Sequence, residues 1–167
     1  MSKIYGVIVG LVIDNNDPLK MGRVKLRYPS LGDDVESHWA RIATLMAGDD
    51  RGSWFIPEVD DEALVAFEQG NMEAPYVLGF LWNGKDRPPK DDTKIRLLRS
   101  VNGHEIEIGD PDISSGDKGY LRLKDAHGNS IELRNGQIKI RGIAAITIEA
   151  PTVMINGRVV VPIPTPI

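Results

Sequence analysis

The sequence predicts an all-β protein with two parts, an N-terminal barrel and a C-terminal segment of short repeated strands. Three observations support this class. Apolar residues alternate with polar ones at a period of two, which is typical of strands with one buried face. Gly, Pro and Asn-Asp pairs interrupt these stretches at short intervals. Amphipathic helix patterns are nearly absent from all 167 residues.

The first part, residues 1–83, contains five predicted strands. In the first strand one face carries Tyr5, Val7, Val9, Leu11 and Ile13. The second carries Val24, Leu26 and Tyr28 on one face and three basic residues on the other, and Pro29 ends it because proline cannot donate to a ladder. Five short strands with turn residues between them favour a small closed barrel, which has no exposed edges. The remaining three strands are predicted around Trp39–Ile42, Ala63–Phe67 and Tyr76–Phe80.

Residues 84–93 are predicted to be a linker, since they are almost entirely polar and contain Pro88-Pro89. In residues 94–167 apolar side chains then recur as short dyads, from the second one onward about seven or eight residues apart, as in a structural repeat. Each dyad is too small to form a core alone, so we expect three chains to bury these positions around one axis. The predicted trimer core is Leu121, Leu123, Ile131, Leu133, Ile138, Ile140, Ile146, Ile148, Val153 and Ile155.

The C-terminal end is apolar and interrupted by prolines at alternating positions, which block further strand pairing. We expect this end to be a tip that contacts another protein or a membrane. The predicted contact residues are Val160, Val161, Pro162, Ile163 and Pro164.

Composition excludes several classes of function. The chain has no cysteine, which rules out disulfides, cysteine-ligated zinc and cysteine nucleophiles. The net charge of −4 is divided unevenly: residues 1–83 carry 7 basic and 13 acidic side chains, and residues 94–167 carry 10 and 8. An acidic barrel disfavours nucleic-acid binding, which depends on clustered cations. No apolar run approaches the roughly 20 residues of a membrane span, and no signal peptide is recognised, so assembly in the cytoplasm is expected.

Each residue group that could form a functional site also has a structural explanation. The isolated histidines His38, His104 and His127 lack metal-ligand spacing, and Asp60-Asp61-Glu62 is favoured as loop and strand-start charge over a catalytic or cation site. The segment Asp110–Asp117 is either a calcium loop or an exposed turn, with the turn favoured. No catalytic residue, cofactor site or metal site is predicted. Three tryptophans could stack on bases or sugars, or could serve as core or subunit contacts, and the second role is favoured. They are Trp39, Trp54 and Trp82.

Several local motifs resemble one family, that of VgrG and phage baseplate assembly protein V. Asn16–Pro18 with Met21–Pro29 is similar to the family's first barrel motif, as is Trp39–Ile42. Gly52–Phe67 resembles its central signature, and the closing strand follows in the same order. The closing matches are Glu68–Asn71, Pro75–Gly79 and Asn83–Gly84.

The second part resembles that family's needle through Ser100–Asp110 and His127–Leu133. The resemblance implies an oligonucleotide-binding (OB) fold barrel, an intertwined trimeric β-helix or β-prism needle, and a structural role as the central spike of a contractile injection system. It also implies a separate hub protein above the barrel, tail-tube and baseplate partners, and transient contact with a target membrane. The chain lacks the lysozyme domain and the iron-binding His-x-His motif of some phage spikes, so a PAAR-type tip protein is expected instead.

Other functions stay open at this level. The barrel alternatively binds single-stranded nucleic acid or carbohydrate, and a cell-wall hydrolase is a third candidate without a visible paired-carboxylate site. A phage tail, a type VI secretion system and an extracellular injection particle fit the residues equally, apart from a weak preference for a phage-derived particle.

Overall fold

The computed structural model describes residues 3–111 and 116–160. The chain divides into two compact units, Met1–Pro88 and Pro89–Ile167, and the division falls inside the segment predicted as a linker. Among the described residues all regular structure is β except one short 3-10 turn at Glu68–Gly70. No helix in the described part of the chain is long and apolar enough to span a membrane.

The first unit is a closed five-stranded barrel with strand order β1-β2-β3-β7-β6. All neighbouring strands are antiparallel except β3 and β7, which pair in parallel. A small hairpin, β4 with β5, lies outside the barrel. This architecture confirms the predicted OB-type barrel. The strands are β1 (Val7–Asp14), β2 (Arg23–Arg27), β3 (Ala40–Ile42), β4 (Ala47–Gly48), β5 (Arg51–Gly52), β6 (Glu62–Phe67) and β7 (Pro75–Phe80).

The barrel interior is filled by alternate residues of the five strands, and each fully buried apolar side chain contributes about 1.5–3 kcal/mol. The largest of them is Tyr28, whose ring meets Phe67 edge-on with centroids 5.6 Å apart. The core consists of Val12, Val24, Leu26, Tyr28, Ala40, Ala63, Val65, Phe67 and Val77.

The apolar face recognised in β1 lies on the outside of the barrel. Tyr5, Val7 and Val9 are 73%, 54% and 39% exposed, whereas Gly10 and Val12 on the opposite face are buried. Both faces of this strand are apolar, so alternation alone does not identify the buried one. The barrel selects the face with Gly10 because the Tyr28 ring packs there, where an added Cβ would lie 3.3 Å from Tyr28 Cε1.

The second unit contains a five-stranded antiparallel meander with strand order β12-β11-β10-β9-β8. Asn135 and Gly136, both with positive φ (49° and 76°), join β11 to β12 in a two-residue hairpin loop. Asn156 and Gly157 play the same part between β13 and β14. The strands are β8 (Ile95–Arg99), β9 (Glu105–Gly109), β10 (Tyr120–Lys124), β11 (Ser130–Arg134), β12 (Gln137–Arg141), β13 (Met154–Ile155) and β14 (Arg158–Val159).

Candidate oligomerisation surface

The apolar dyads of the second unit lie on one face of the meander, where the strand register arranges them in two rows. Each strand contributes one residue to each row, so the face is two residues wide and five strands long. The first row is Leu98, Ile106, Leu123, Ile131 and Ile140. The second is Arg96, Ile108, Leu121, Leu133 and Ile138.

No described residue of the chain covers this face. Its apolar side chains are between 39% exposed, at Ile131, and 71% exposed, at Ile138. Soluble proteins rarely leave a contiguous apolar patch of several hundred Å² open to water unless it binds something. The face therefore has the character of an interface.

Three apolar residues of this face were absent from the predicted set, namely Leu98, Ile106 and Ile108. Ile106 and Ile108 alternate with Glu105 and Glu107, so the period of two was already visible in the sequence. Leu98 was harder to assign because Leu97 precedes it and both faces of β8 are apolar.

The remaining predicted core residues are placed outside the meander. Ile146 and Ile148, 55% and 69% exposed, lie in a segment without regular structure. Ile155 belongs to the β13–β14 hairpin and is 63% exposed. Val153 is the residue just before this hairpin begins at Met154. Of the predicted tip, Val160 is 44% exposed, and Val161, Pro162, Ile163 and Pro164 lie outside the described residues.

The opposite face of the meander is charged and is organised around Glu107, which is only 2% exposed. Its carboxylate accepts hydrogen bonds from Tyr120 Oη at 2.7 Å and Arg122 Nη1 at 3.3 Å, and Lys90 Nζ lies 3.3 Å away. Burial alone raises the pKa of Glu107, but the Tyr120 hydroxyl and the Lys90 ammonium outweigh it, so the pKa lies below its ordinary value. The Tyr120 ring fits here because Gly109 lies beneath it, where a Cβ would be 2.4 Å from Cε1.

Further ion pairs extend across this face. Arg122 Nη2 contacts Glu132 Oε2 at 2.6 Å, and this contact raises the pKa of the Arg122 guanidinium. Glu105 lies 3.5 Å from Arg99 Nε and 3.9 Å from Lys124 Nζ. The charged face thus carries ion pairs within the chain, whereas the described residues leave the apolar face uncovered.

In the barrel, the turn between β1 and β2 is organised by Asp17. Its carboxylate accepts hydrogen bonds from the backbone N–H groups of Leu19 (3.0 Å), Met21 (2.9 Å) and Arg23 (3.3 Å). The Arg23 side chain adds two more, from Nε at 3.0 Å and Nη2 at 2.7 Å. This set explains why an Asp, a turn and an Arg occur at that spacing, and it is structural.

None of the three tryptophans belongs to the barrel core. Trp54 and Trp82 are 72% and 71% exposed, which corrects the core alternative for both. Trp39 is half-buried, and the cationic groups of Arg23 and Lys25 lie 5.8 and 5.7 Å from its ring centroid. A core role fails because the barrel centre is already filled by Tyr28 and its aliphatic neighbours.

The other candidate residues show no catalytic arrangement. His38 contacts Glu73 at 3.2 Å, His127 lies 3.8 Å from Asp125, and His104 Nδ1 accepts a hydrogen bond from the Ala126 N–H. In the described ranges no group of three His, Asp or Glu side chains could hold a metal ion. Part of the Asp110–Asp117 segment, residues 112–115, lies outside the described residues.

The residues Asp60, Asp61 and Glu62 lie in a turn and at the start of a barrel strand. Asp61 accepts a hydrogen bond from the Glu58 N–H at 2.9 Å. Glu62 begins β6 and accepts one from Asn83 Nδ2 at 3.3 Å. Asp60 lies in the preceding turn with φ 77°.

A groove of about 900 Å³ lies between the β4–β5 hairpin and β7. Apolar side chains line much of it, and Leu45 is 96% exposed. Its other large apolar residues include Trp54, Phe55, Leu78 and Phe80.

Comparisons with known proteins agree with this architecture. Residues 8–82 match the family described as the type VI secretion system/phage-baseplate injector OB domain. The chain is 30% identical over 90 residues to the type VI secretion system spike protein VgrG2a of Pseudomonas aeruginosa, which covers 52% of this chain and 11% of that protein. It is 39% identical over 113 residues to VgrG5 of the same species, covering 64% and 13%.

A spike protein of Vibrio cholerae, VgrG3, is 33% identical over 90 residues, covering 50% of this chain and 9% of that protein. The chain thus spans only a small part of the length of these relatives. The segment that matches the family model, residues 8–82, coincides with the closed barrel from β1 to just past β7. The barrel thus matches the injector OB domain of type VI secretion systems and phage baseplates, and the chain is similar to the family of VgrG and phage baseplate assembly protein V.

Proposed function

We propose that the chain is a structural central-spike protein of a contractile injection system, in which three copies form a needle. The observation that carries the proposal is the open apolar face of the meander. The spike proteins that the chain resembles support it, and a structural role requires no catalytic group.

The dimensions of the face suit a three-fold prism. Five-residue strands are about 17 Å long and neighbouring strands lie about 4.8 Å apart. Three sheets with their strands across the axis would form a triangular column. In it β9 to β12 each contribute two apolar side chains per chain, and β8 contributes Leu98 and Arg96. The charged faces, which carry several ion pairs within each chain, would face the solvent.

This arrangement gives a needle over residues 94–167, with Ile146, Ile148, Val153 and Ile155 continuing the column in an intertwined β-helix or β-prism. The barrel would dock beneath a tail-tube hub, and the Pro-rich end would seat a PAAR-type tip protein before the needle pierces a target envelope. Assembly in the cytoplasm and export within a phage tail or secreted particle complete the proposal.

Light scattering on the full chain tests the stoichiometry. We expect a particle of about three times 18.4 kDa at micromolar concentration. A stable monomer under these conditions would contradict the proposal.

A cysteine experiment tests the position of the face, because the chain has no cysteine of its own. Ile140→Cys would place three thiols near the common axis, where mild oxidation should join two chains through a disulfide. Gln137→Cys is the matched control, since it lies on the same strand and projects from the opposite face. Equal cross-linking of both variants, or of neither, would be evidence against the prism.

The alternative, a barrel that binds single-stranded nucleic acid or sugar, has less support. Trp54 and Trp82 are exposed as stacking residues would be. The acidic barrel lacks the clustered cations that normally accompany them. Oligonucleotide binding that weakens with salt would favour this alternative.

A further inference from the structure

Three cationic side chains gather on the charged face of the meander, toward its β12 edge. A depression of about 260 Å³ lies there. Lys124, Lys139 and Arg141 surround it, and Ser130 and Gly128 form part of its wall.

The strand register explains the shape of this depression. Ser130 on β11 lies directly between Lys124 on β10 and Arg141 on β12. Cross-strand neighbours have Cβ atoms about 4.5–5.5 Å apart. A small hydroxyl residue between two long cationic side chains leaves an open floor with a hydrogen-bond donor at its centre.

Two nearby carboxylates already contact cations of the sheet. Glu132, which also lines the depression, contacts Arg122 Nε at 2.8 Å and Nη2 at 2.6 Å. Glu105 is the nearest acidic partner of Lys124, at 3.9 Å. The side chains of Lys139 and Arg141 form no ion pair or hydrogen bond with any residue in the described ranges 3–111 and 116–160.

We propose that this depression, the β12 cation site, binds a phosphate group. Arg141 offers a planar fork of N–H donors, Lys124 and Lys139 supply compact positive charges, and the Ser130 hydroxyl donates from below. Several donors converging from different sides suit a tetrahedral anion with three or four oxygens, for which arginine and lysine together are the usual partners.

The site lies within one sheet of one chain, so it does not depend on the trimer. The phosphate could be carried by a lipid headgroup or be free in solution. Both sources present the same oxygens, and the experiment separates them.

The test uses the full chain and the double variant Lys139→Gln with Arg141→Gln. Binding is measured by vesicle flotation and by calorimetry. Flotation compares phosphatidylcholine vesicles with and without phosphatidic acid at low salt, and calorimetry uses inorganic phosphate. We expect the native chain to bind at least one phosphate source and the double variant to lose at least about tenfold in affinity.

The matched control is Lys20→Gln with Arg27→Gln, which removes the same charge from exposed positions of the barrel. It should bind like the native chain. Binding to inorganic phosphate supports a site for the free anion, and binding to phosphatidic acid vesicles alone supports a headgroup site.

Three outcomes would overturn the proposal. One is equal loss of binding in both double variants, which would indicate a non-specific charge effect. Another is the absence of binding to either phosphate source. The third is binding to a single-stranded oligonucleotide alone. Because both substituted side chains are exposed, the melting temperature of the double variant should match that of the native chain and show that folding is intact.

Discussion

Asp17 and Arg23 form a two-pronged ion pair at the turn between β1 and β2, with Oδ1 2.7 Å from Nη2 and Oδ2 3.0 Å from Nε. The Asp17 side chain is only 4% exposed. Its hydrogen bonds with the Arg23 side chain, followed by those from the backbone N–H groups, hold the pKa of Asp17 far below its ordinary value of 3.8.

A pH dependence of barrel stability follows from this pair. A carboxylate whose pKa is lower in the folded chain stabilises it above the unfolded pKa, and the stabilisation is lost as the pH falls toward the folded pKa. We expect the melting temperature of the native chain to decrease below about pH 4. Asp17→Asn should lower it at pH 7 and weaken this acid dependence.

Asp14→Asn serves as the control, since Asp14 accepts one local hydrogen bond, from the Asn16 N–H. It should change the melting temperature less than Asp17→Asn at every pH. Equal changes in melting temperature for the two variants would contradict a stabilising role of the Asp17 hydrogen bonds.

The Glu107 network predicts the stability of the charged face. Glu107→Ala removes the acceptor of Tyr120 Oη and one contact each of Arg122 and Lys90. Because Arg122 keeps Glu132, we expect a loss of about 1–3 kcal/mol in the free energy of unfolding. Denaturant titration measures it, with the exposed Lys139→Ala as a control expected to stay within about 0.5 kcal/mol of the native chain.

Two substitutions near the buried hydroxyl of Tyr28, Tyr28→Phe and Ser37→Ala, should differ in their effect on stability. Burial raises the pKa of Tyr28 to about 12, and the Ser37 hydroxyl limits the rise. Tyr28 Oη nevertheless makes no hydrogen bond of normal geometry with the described residues. Tyr28→Phe keeps the ring contact with Phe67 and should change stability by less than about 1 kcal/mol in either direction.

Ser37→Ala should lower the free energy of unfolding more than Tyr28→Phe does, although serine is the smaller side chain. Ser37 Oγ accepts the Leu26 N–H at 2.9 Å in the barrel interior, and its loss leaves a buried donor without a partner. We expect a cost of about 1–3 kcal/mol by denaturant titration. A larger cost for Tyr28→Phe than for Ser37→Ala would contradict the assignment.

A glycine is required at position 22 because of its backbone conformation and because Trp54 packs against it. It has φ +70°, and an added Cβ would lie 2.9 Å from Trp54 Cζ3. Gly22→Ala should cost about 1–2 kcal/mol from the left-handed backbone alone and should shift the tryptophan fluorescence as Trp54 moves. Gly84→Ala is the control, since a Cβ there meets nothing within 4 Å.

The sequence by itself determined the class of the fold, the locations of the five barrel strands along the chain and the positions of the dyads. These features depend on local properties: alternation at a period of two, proline and glycine at turns, and the Asn-Gly pairs that close hairpins. The buried face of β2 could also be assigned, because its other face is basic.

Only the tertiary structure decided what depends on partners distant in the chain. The buried face of β1 was set by Tyr28 packing against Gly10, since both faces of that strand are apolar. The pairing of consecutive dyads into one flat sheet, the inclusion of Ile106 and Ile108 in it, and the burial of Glu107 depend on register between strands. Register joins residues that no local pattern connects, and that is the physical reason why the open apolar face appears only in the folded chain.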